Sequence, residues 1–244
     1  MARGHHVDVV CGLERLPPAD TAILHVDLSV VPDDYARAAR RYPRVMNGQA
    51  LDIRKRAVSR NLVARGDGWR GPVIVKTDLN YRGLPEQELH KRALKANGKA
   101  AKPPKPIDYK IYESPERVPH SVWSRPELVV ERFLPERDDS GFAVRTWLFL
   151  GDRERCRRFT SDKPLVKGAN IKFVGSEPSE VPDFVRAERD RLKIDYGKFD
   201  FVLHNGEPVL FDANKTPGVP PPSPMNAQLY EYLADGLDQW LPKA

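Results

Sequence analysis

The sequence contains only two cysteines, Cys11 and Cys156, which are far apart and lack metal-ligand spacing. Free thiols are therefore favoured over a disulfide framework for both side chains. The chain also lacks any run close to the ~18 consecutive apolar residues that a membrane helix requires. Its first eight residues lack the unbroken apolar core of a signal peptide. We therefore expect no membrane association and a cytoplasmic location.

The chain has many charged residues, and basic residues outnumber acidic ones. The 244 residues include 40 Lys and Arg against 34 Asp and Glu, a net charge of +6, while 40% of the chain is hydrophobic. This composition is ordinary for a globular protein of one or two lobes, and its basic balance favours anionic partners such as nucleotides, phosphorylated ligands or nucleic acid. No aromatic residues interleave with the most basic stretch, residues 91–105. A nucleic-acid stacking surface is therefore not favoured.

Hydrophobic periodicity and turn residues predict an alternation of strands and helices with no internal repeat. Strands are predicted at 21–31, 73–76, 127–134, 143–150, 154–160 and 170–174, and helices at 34–41, 50–64, 85–97, 182–193 and 223–241. A β-hairpin is predicted over residues 199–214.

The predicted hairpin carries three oxygen side chains, Asp200, Asp212 and Asn214, in strands otherwise built of Phe, Val and Leu. A buried carboxylate is costly unless it is paired or bound to a cation, and Mg²⁺ prefers oxygen ligands. The pattern therefore predicts a Mg²⁺ site. The alternative is a set of polar edge-strand residues facing solvent.

The hairpin turn decides whether these side chains can meet. A two-residue turn at Asn205-Gly206 would pair Asp200 with Phe211 and point the two carboxylates to opposite sides of the sheet. A three-residue loop of residues 204–206 would place Asp200, Asp212 and Asn214 on one face. We predict the three-residue loop, because a shared metal ion requires the common face.

The order of these parts resembles the ATP-grasp superfamily over residues 53–218. The hairpin is the strongest element of the resemblance, with Asp200, a Gly-containing turn, Asp212-Ala213-Asn214 and the exit Pro217-Gly218. The resemblance implies an α/β (α+β) fold of two lobes with mixed and antiparallel sheets clasping ATP. Residues 1–52 would form a shortened N-terminal strand-helix region, 53–134 the small lobe with the hinge, and 135–244 the large lobe with the metal site.

The resemblance also implies residues that bind the nucleotide. Lys76, at the end of an apolar strand, matches the lysine that contacts phosphate, although a strand-end lysine is often a surface residue. Lys55 is expected to be a second phosphate contact, with Arg54 and Arg56 as alternatives. The strand that holds Glu131 and Phe133 looks like the hinge that meets adenine. Glu136 is either a ribose partner or part of a solvated loop.

Two arginines are expected to contact the transferring phosphoryl group or acyl phosphate, Arg145 and then Arg158. Two features depart from the family pattern: the loop after Lys76 offers only Gly83 where the family is usually glycine-rich, and Asp212 stands where Glu is more common.

The resemblance implies an ATP- and Mg²⁺-dependent ligase that joins a small-molecule or peptide carboxylate to an amine through an acyl phosphate. The alternatives are a kinase on the same scaffold and a non-catalytic basic protein that binds nucleotide or nucleic acid. The region before residue 53 is short, so an acceptor site could require a homodimer or a partner chain.

Overall fold

The computed structural model describes residues 4–218 and 224–242. Its elements form a mixed α/β fold whose two larger sheets are antiparallel, which confirms the predicted fold class. The strands are β1 (Thr21–Ile23), β2 (Arg44–Met46), β3 (Val73–Thr77), β4 (Lys110–Tyr112), β5 (Leu128–Arg132), β6 (Glu136–Asp138), β7 (Gly141–Leu150), β8 (Arg153–Ser161), β9 (Lys172–Pro178), β10 (Tyr196–His204) and β11 (Glu207–Asn214). The helices are α1 (Asp33–Ala39), α2 (Lys55–Val58), α3 (Leu84–Asn97), α4 (His120–Trp123), α5 (Asp183–Leu192) and α6 (Pro224–Ala234), with 3-10 turns at Asn80–Gly83, Pro115–Arg117 and Asp235–Trp240.

The largest sheet has six strands in the order β11-β10-β7-β8-β9, with β6 paired to the start of β7. One face is apolar because side chains alternate along each strand: Phe199 and Phe201 of β10 pack with Trp147 and Phe149 of β7. Helix α5 covers this face and adds Val185 to the same core. Each large side chain buried here contributes about 1.5–3 kcal/mol to folding. The opposite face of the same strands carries Thr146 of β7 and Lys198 and Asp200 of β10.

A second sheet, β4-β3-β5, is antiparallel and packs its apolar face on Val118 and helix α4. All five residues of β3 are buried, including Lys76. Residues 62 and 63 extend this sheet, because Leu62 bridges to Glu131 and the Val63 amide donates to the Val130 carbonyl at 2.8 Å. Ile53 and Val58, which precede these residues in the chain, belong to the core of the large sheet.

The N-terminal region forms a parallel pair, β1-β2, with α1 packed on it through Leu24, Val31 and Ala36. Its fully buried Asn47 joins it to the large sheet: the Asn47 amide donates to Asp195 Oδ2 at 2.7 Å and its Nδ2 to the Tyr196 carbonyl at 2.8 Å. None of the helices within the described residues has the length and apolar character that a membrane crossing requires.

Three sequence predictions of secondary structure were wrong in extent. The predicted helix at 50–64 is helical only at Lys55–Val58, because pairing of residues 62 and 63 with β5 outweighs the helical spacing. The predicted strand at 21–31 is reduced to β1 and an isolated bridge at Val30. The predicted last helix changes to a 3-10 turn after residue 234, and its predicted first residue, 223, lies outside the described residues.

Candidate active site

The β10-β11 hairpin does not have the three-residue loop that we predicted. His204 pairs with Glu207, so Asn205 and Gly206 form a two-residue turn. Both have positive φ, 52° and 87°, as a type I′ turn requires. Asn tolerates this left-handed conformation and Gly has no Cβ to oppose it, so the tighter turn is favoured locally.

A β-bulge nevertheless brings the two carboxylates together. Phe201 pairs with Leu210, but Asp200 pairs with Asp212, so Phe211 is an extra residue in β11. Directly paired residues of an antiparallel sheet point to the same face, and Asn214 lies two residues beyond Asp212 on that face. The predicted common face of Asp200, Asp212 and Asn214 is therefore present, through a bulge and not through the turn.

Asp212 faces a lysine from a different part of the chain. The ammonium of Lys55, in the first turn of α2, donates to Asp212 Oδ1 and to Asn80 Oδ1, the latter at 3.0 Å. Lys55 is only 3% exposed. Burial by itself lowers the pKa of Lys55, but Asp212, with smaller contributions from Tyr109 and Glu131, outweighs this effect and leaves the pKa raised. Lys55 is therefore a buried group whose surroundings favour the charged form.

Asp200 has its own cationic partner on the same face. Lys198 Nζ lies 2.9 Å from Asp200 Oδ2, and Thr146 of the neighbouring strand β7 donates its hydroxyl to Asp200 Oδ1 at 2.8 Å. The Asp200 charge raises the pKa of Lys198 despite its burial. Lys198 precedes Asp200 by two residues, so the strand period could have identified it from the sequence.

A third lysine reaches this region from the smaller sheet. Lys76 of β3 donates to Glu131 Oε2 of β5 at 2.7 Å, and both are buried. The Lys76 ammonium also lies 5.5 Å from the Phe211 ring centroid and 6.0 Å from that of Tyr109. Burial raises the pKa of the Tyr109 phenol. Lys76 of the smaller sheet therefore lies near Phe211, the bulge residue of the larger sheet.

Only one of the two carboxylate oxygens of Glu131 contacts Lys76. Its Oε1 atom is buried and has no hydrogen-bond partner within residues 4–218 and 224–242, while Oε2 is taken by Lys76. An unpaired buried acceptor is costly, so the position is suited to a donor that arrives with a ligand.

The structure does not bring Arg145 and Arg158 to the face of Asp200. Arg145 pairs across the strands with Phe201 and Arg158, on the side of the apolar core. Both guanidinium groups contact Glu136, which also accepts from the Leu203 amide at 2.8 Å. Arg157, which we did not single out, pairs with Thr146 and therefore lies on the face of Asp200.

The remaining predicted residues are engaged within the chain. The Phe133 amide donates to the Pro72 carbonyl at 2.9 Å, and Asn214 Oδ1 accepts from the Thr216 amide at 2.8 Å. The predicted nucleotide roles of Phe133 and Glu136 and the metal role of Asn214 stay predictions.

The donor set fits Mg²⁺ better than a soft metal. In the described part of the chain, no three His, Cys, Asp or Glu side chains are grouped to hold a metal. Two carboxylates and an amide oxygen remain, and Mg²⁺ typically uses one or two carboxylates together with substrate phosphates. Ammonium groups already contact Asp200 and Asp212, so a metal ion would have to displace them.

Comparison with known proteins gave matches only among solved structures. No protein-family model matches the chain, and no curated protein matches it. The D-alanine–D-alanine ligase from Coxiella burnetii aligns with a TM-score of 0.45 and 13% identity over 93% of this chain and 68% of that one. The D-alanine–D-alanine ligase from Bacillus anthracis aligns with a TM-score of 0.38 and 14% identity over 69% and 55%.

An ATP-grasp ligase from Chryseobacterium gregarium, solved with ADP and a leader and core peptide, aligns with a TM-score of 0.33 and 12% identity over 69% and 56%. This chain therefore corresponds to about half the length of two of these three proteins. With all three TM-scores below 0.5, none of these structures assigns a role to a residue here. The Chryseobacterium gregarium protein is described as an ATP-grasp ligase, the superfamily that the sequence motifs of this chain resemble.

Proposed function

We propose that this protein is an ATP- and Mg²⁺-dependent carboxylate–amine ligase that binds the triphosphate between its two larger sheets. The observation that carries the proposal is the convergence of Lys55, Lys76 and Lys198 with Asp200 and Asp212. These residues come from α2, β3 and the β10-β11 hairpin, and more than 100 residues separate β3 from the hairpin. Their burial costs desolvation that a purely apolar core would avoid.

The charges of this cluster balance without a ligand. The ammonium groups of Lys55, Lys76 and Lys198 each contact one carboxylate, from Asp212, Glu131 and Asp200 respectively. A triphosphate would attract the ammonium groups, and the released carboxylates would then accept a divalent cation. When bound, Mg²⁺ would offset the charge on the phosphate oxygens. The chain's own residues would position the phosphates and exclude water, and Glu131 would hold Lys76 in place.

The proposed reaction transfers the γ-phosphoryl group to a carboxylate oxygen, which breaks the bond to the ADP oxygen. An amine then forms a bond to the carboxyl carbon, phosphate leaves, and the amine releases a proton. A small-molecule or peptide carboxylate is the proposed substrate class. Arg145 and Arg158 contact Glu136 and Arg157 contacts Ser176, so each would have to leave a partner to reach the phosphoryl group, but only Arg157 lies on the face of Asp200.

The first test is ligand-induced stabilisation. ATP with Mg²⁺ should raise the melting temperature, because a ligand that binds only the folded state stabilises it by about 2.7 kcal/mol at a hundredfold excess over its Kd. Asp212→Asn should remove the part of the increase that depends on Mg²⁺. Asp152→Asn, a substitution of an exposed acid, serves as the matched control and should respond as the unmodified protein does. An undiminished Mg²⁺ response in Asp212→Asn would refute the metal assignment.

The second test separates ligase from kinase. Carboxylates are screened for ADP release in the presence of hydroxylamine, which captures an acyl phosphate as a hydroxamate. We expect a hydroxamate with the correct carboxylate. ADP release accompanied by a stable phosphorylated product would instead identify a kinase.

A further inference from the structure

Leu79, the residue before Asn80, lines a groove outside the candidate active site. The groove has a volume of about 320 Å³ and lies between the N-terminal region, helix α3 and the segment that follows α3. Its walls are mainly apolar, and its volume falls at the lower end of the ~300–1,000 Å³ usual for small-ligand sites. Two of the wall residues, Val30 and Leu89, leave large apolar side chains 44% and 52% exposed.

Two polar atoms in this apolar wall are buried and unsatisfied. Glu86 Oε2 and His90 Nδ1 have no hydrogen-bond partner among the described residues, and both side chains line the groove. They lie four residues apart on α3, so they share one helix face. Leaving such atoms unpaired costs about 1–3 kcal/mol each, which a ligand with hydrogen-bond donors would recover.

The Glu86 carboxylate is fixed in this position by its other oxygen. Oε1 accepts from the Ser29 amide at 2.8 Å, whereas Oε2 has no hydrogen-bond partner among the described residues. Ser29 Oγ accepts from the Asn80 amide at 2.8 Å, and Asn80 Oδ1 accepts from Lys55. A continuous chain of hydrogen bonds therefore joins the groove to the candidate active site.

We propose that this groove binds a primary amine with an apolar body. An ammonium group supplies three donors and a positive charge, which matches the Glu86 carboxylate oxygen and the acceptor nitrogen of a neutral His90. The alkyl body would cover Leu79, Leu89 and Ala93, which line the groove. Binding of the amine does not require ATP. Its use as the amine acceptor of a ligase reaction would rest on the function proposed above.

The test is titration of the full chain with n-hexylamine, without nucleotide, followed by calorimetry or amide NMR shifts. Affinity should increase about fourfold per methylene from n-butylamine to n-hexylamine, as apolar burial predicts. 1-Hexanol should bind at least tenfold more weakly, since it lacks the charge. No binding of hexylamine, or equal binding of hexanol, would overturn the proposal.

Three variants test whether hexylamine binds in this groove. Glu86→Gln keeps an oxygen to accept from the Ser29 amide but replaces Oε2 with a donor, and should weaken hexylamine binding at least tenfold. Ala93→Leu should block hexylamine by filling the groove. Glu88→Gln, on the exposed side of the same helix, is the matched control and should bind as the unmodified protein does. Unchanged binding in Glu86→Gln and Ala93→Leu would place the amine elsewhere and refute the assignment.

Discussion

Two regions of this molecule bury a lysine ammonium group, and they do so in opposite ways. In the candidate active site, Lys55 is 3% exposed and meets the Asp212 carboxylate. At the junction of β11 with the N-terminal region, Lys215 is fully buried, and its Nζ donates to the carbonyls of Val26 and Leu28 at 3.1 and 2.9 Å. Burial lowers the pKa of Lys215 to about 8, whereas the pKa of Lys55 is raised.

The comparison indicates that the partners of a buried lysine ammonium group, more than its burial, set its charge state. The hydrogen bonds of Lys215 go to backbone carbonyls, which carry only partial charge, and the nearby charges of Asp27, Glu86 and Asp52 do not offset its loss of hydration. A carboxylate supplies a full negative charge. Lys55 is thus suited to meet phosphate at any physiological pH, while Lys215 loses its proton slightly above neutrality.

The largest expected effect concerns Lys215. Its folded-state pKa of about 8 lies below the ordinary lysine value of 10.5, so at pH 7 the folded state carries the full cost of a buried charge. As pH rises from about 8 to 10.5, the unfolded state binds more protons and stability increases. The free energy of unfolding, relative to Lys215→Met, should therefore rise by on the order of 3 kcal/mol.

Urea denaturation of both proteins at pH 7 and pH 10.5 measures this difference. Lys163→Met, which replaces an exposed lysine, is the control and should give no change in the difference between the two pH values. A difference for Lys215→Met that stays constant with pH would contradict the assigned pKa shift.

The next effect concerns the pair in the active site. Lys55→Met leaves Asp212 without its cation, and Asp212→Asn leaves Lys55 buried without its anion. The double variant removes both charges, so it should be more stable than the sum of the single losses predicts. A double-mutant cycle in urea should give a coupling energy of about 1–3 kcal/mol. Additive losses would show that the two charges do not interact.

The smallest effect is expected at Lys198. Its side chain is 33% exposed and that of Asp200 is 17% exposed, so solvent screens the pair. Asp200 also keeps the Thr146 hydroxyl when the lysine is removed. Lys198→Met should therefore cost about 1 kcal/mol or less in the same denaturation measurement. A loss as large as that of Lys55→Met would show that exposure does not separate the two pairs.

Local sequence was sufficient for several parts of the fold. Pro85 and Gly98 bound helix α3, which ends with Gly98 in the left-handed conformation. The apolar alternation of β7 and β10 predicted both strands within a few residues. The helical spacing of apolar residues gave a wrong prediction at residues 50–64, because residues 62 and 63 pair with β5 instead.

The candidate site was predictable by residue type but not by register. Oxygen side chains in apolar strands singled out Asp200 and Asp212, yet nothing local shows that Phe211 becomes the extra residue of a bulge. Lys198 was identifiable from the strand period. Asn80, Thr146 and Tyr109 carried no signal, since each depends on a contact with a distant element.

The sequence by itself determined the residue types of the site, the strands that carry them and the basic balance that favours an anionic ligand. Only the tertiary structure decided which lysine meets which carboxylate, that Arg145 lies on the opposite face, and that Glu86 and His90 line a second groove. The physical reason is that alternation and turn propensity act over a few residues. Charge pairing, by contrast, depends on register and on the packing of one sheet against the other.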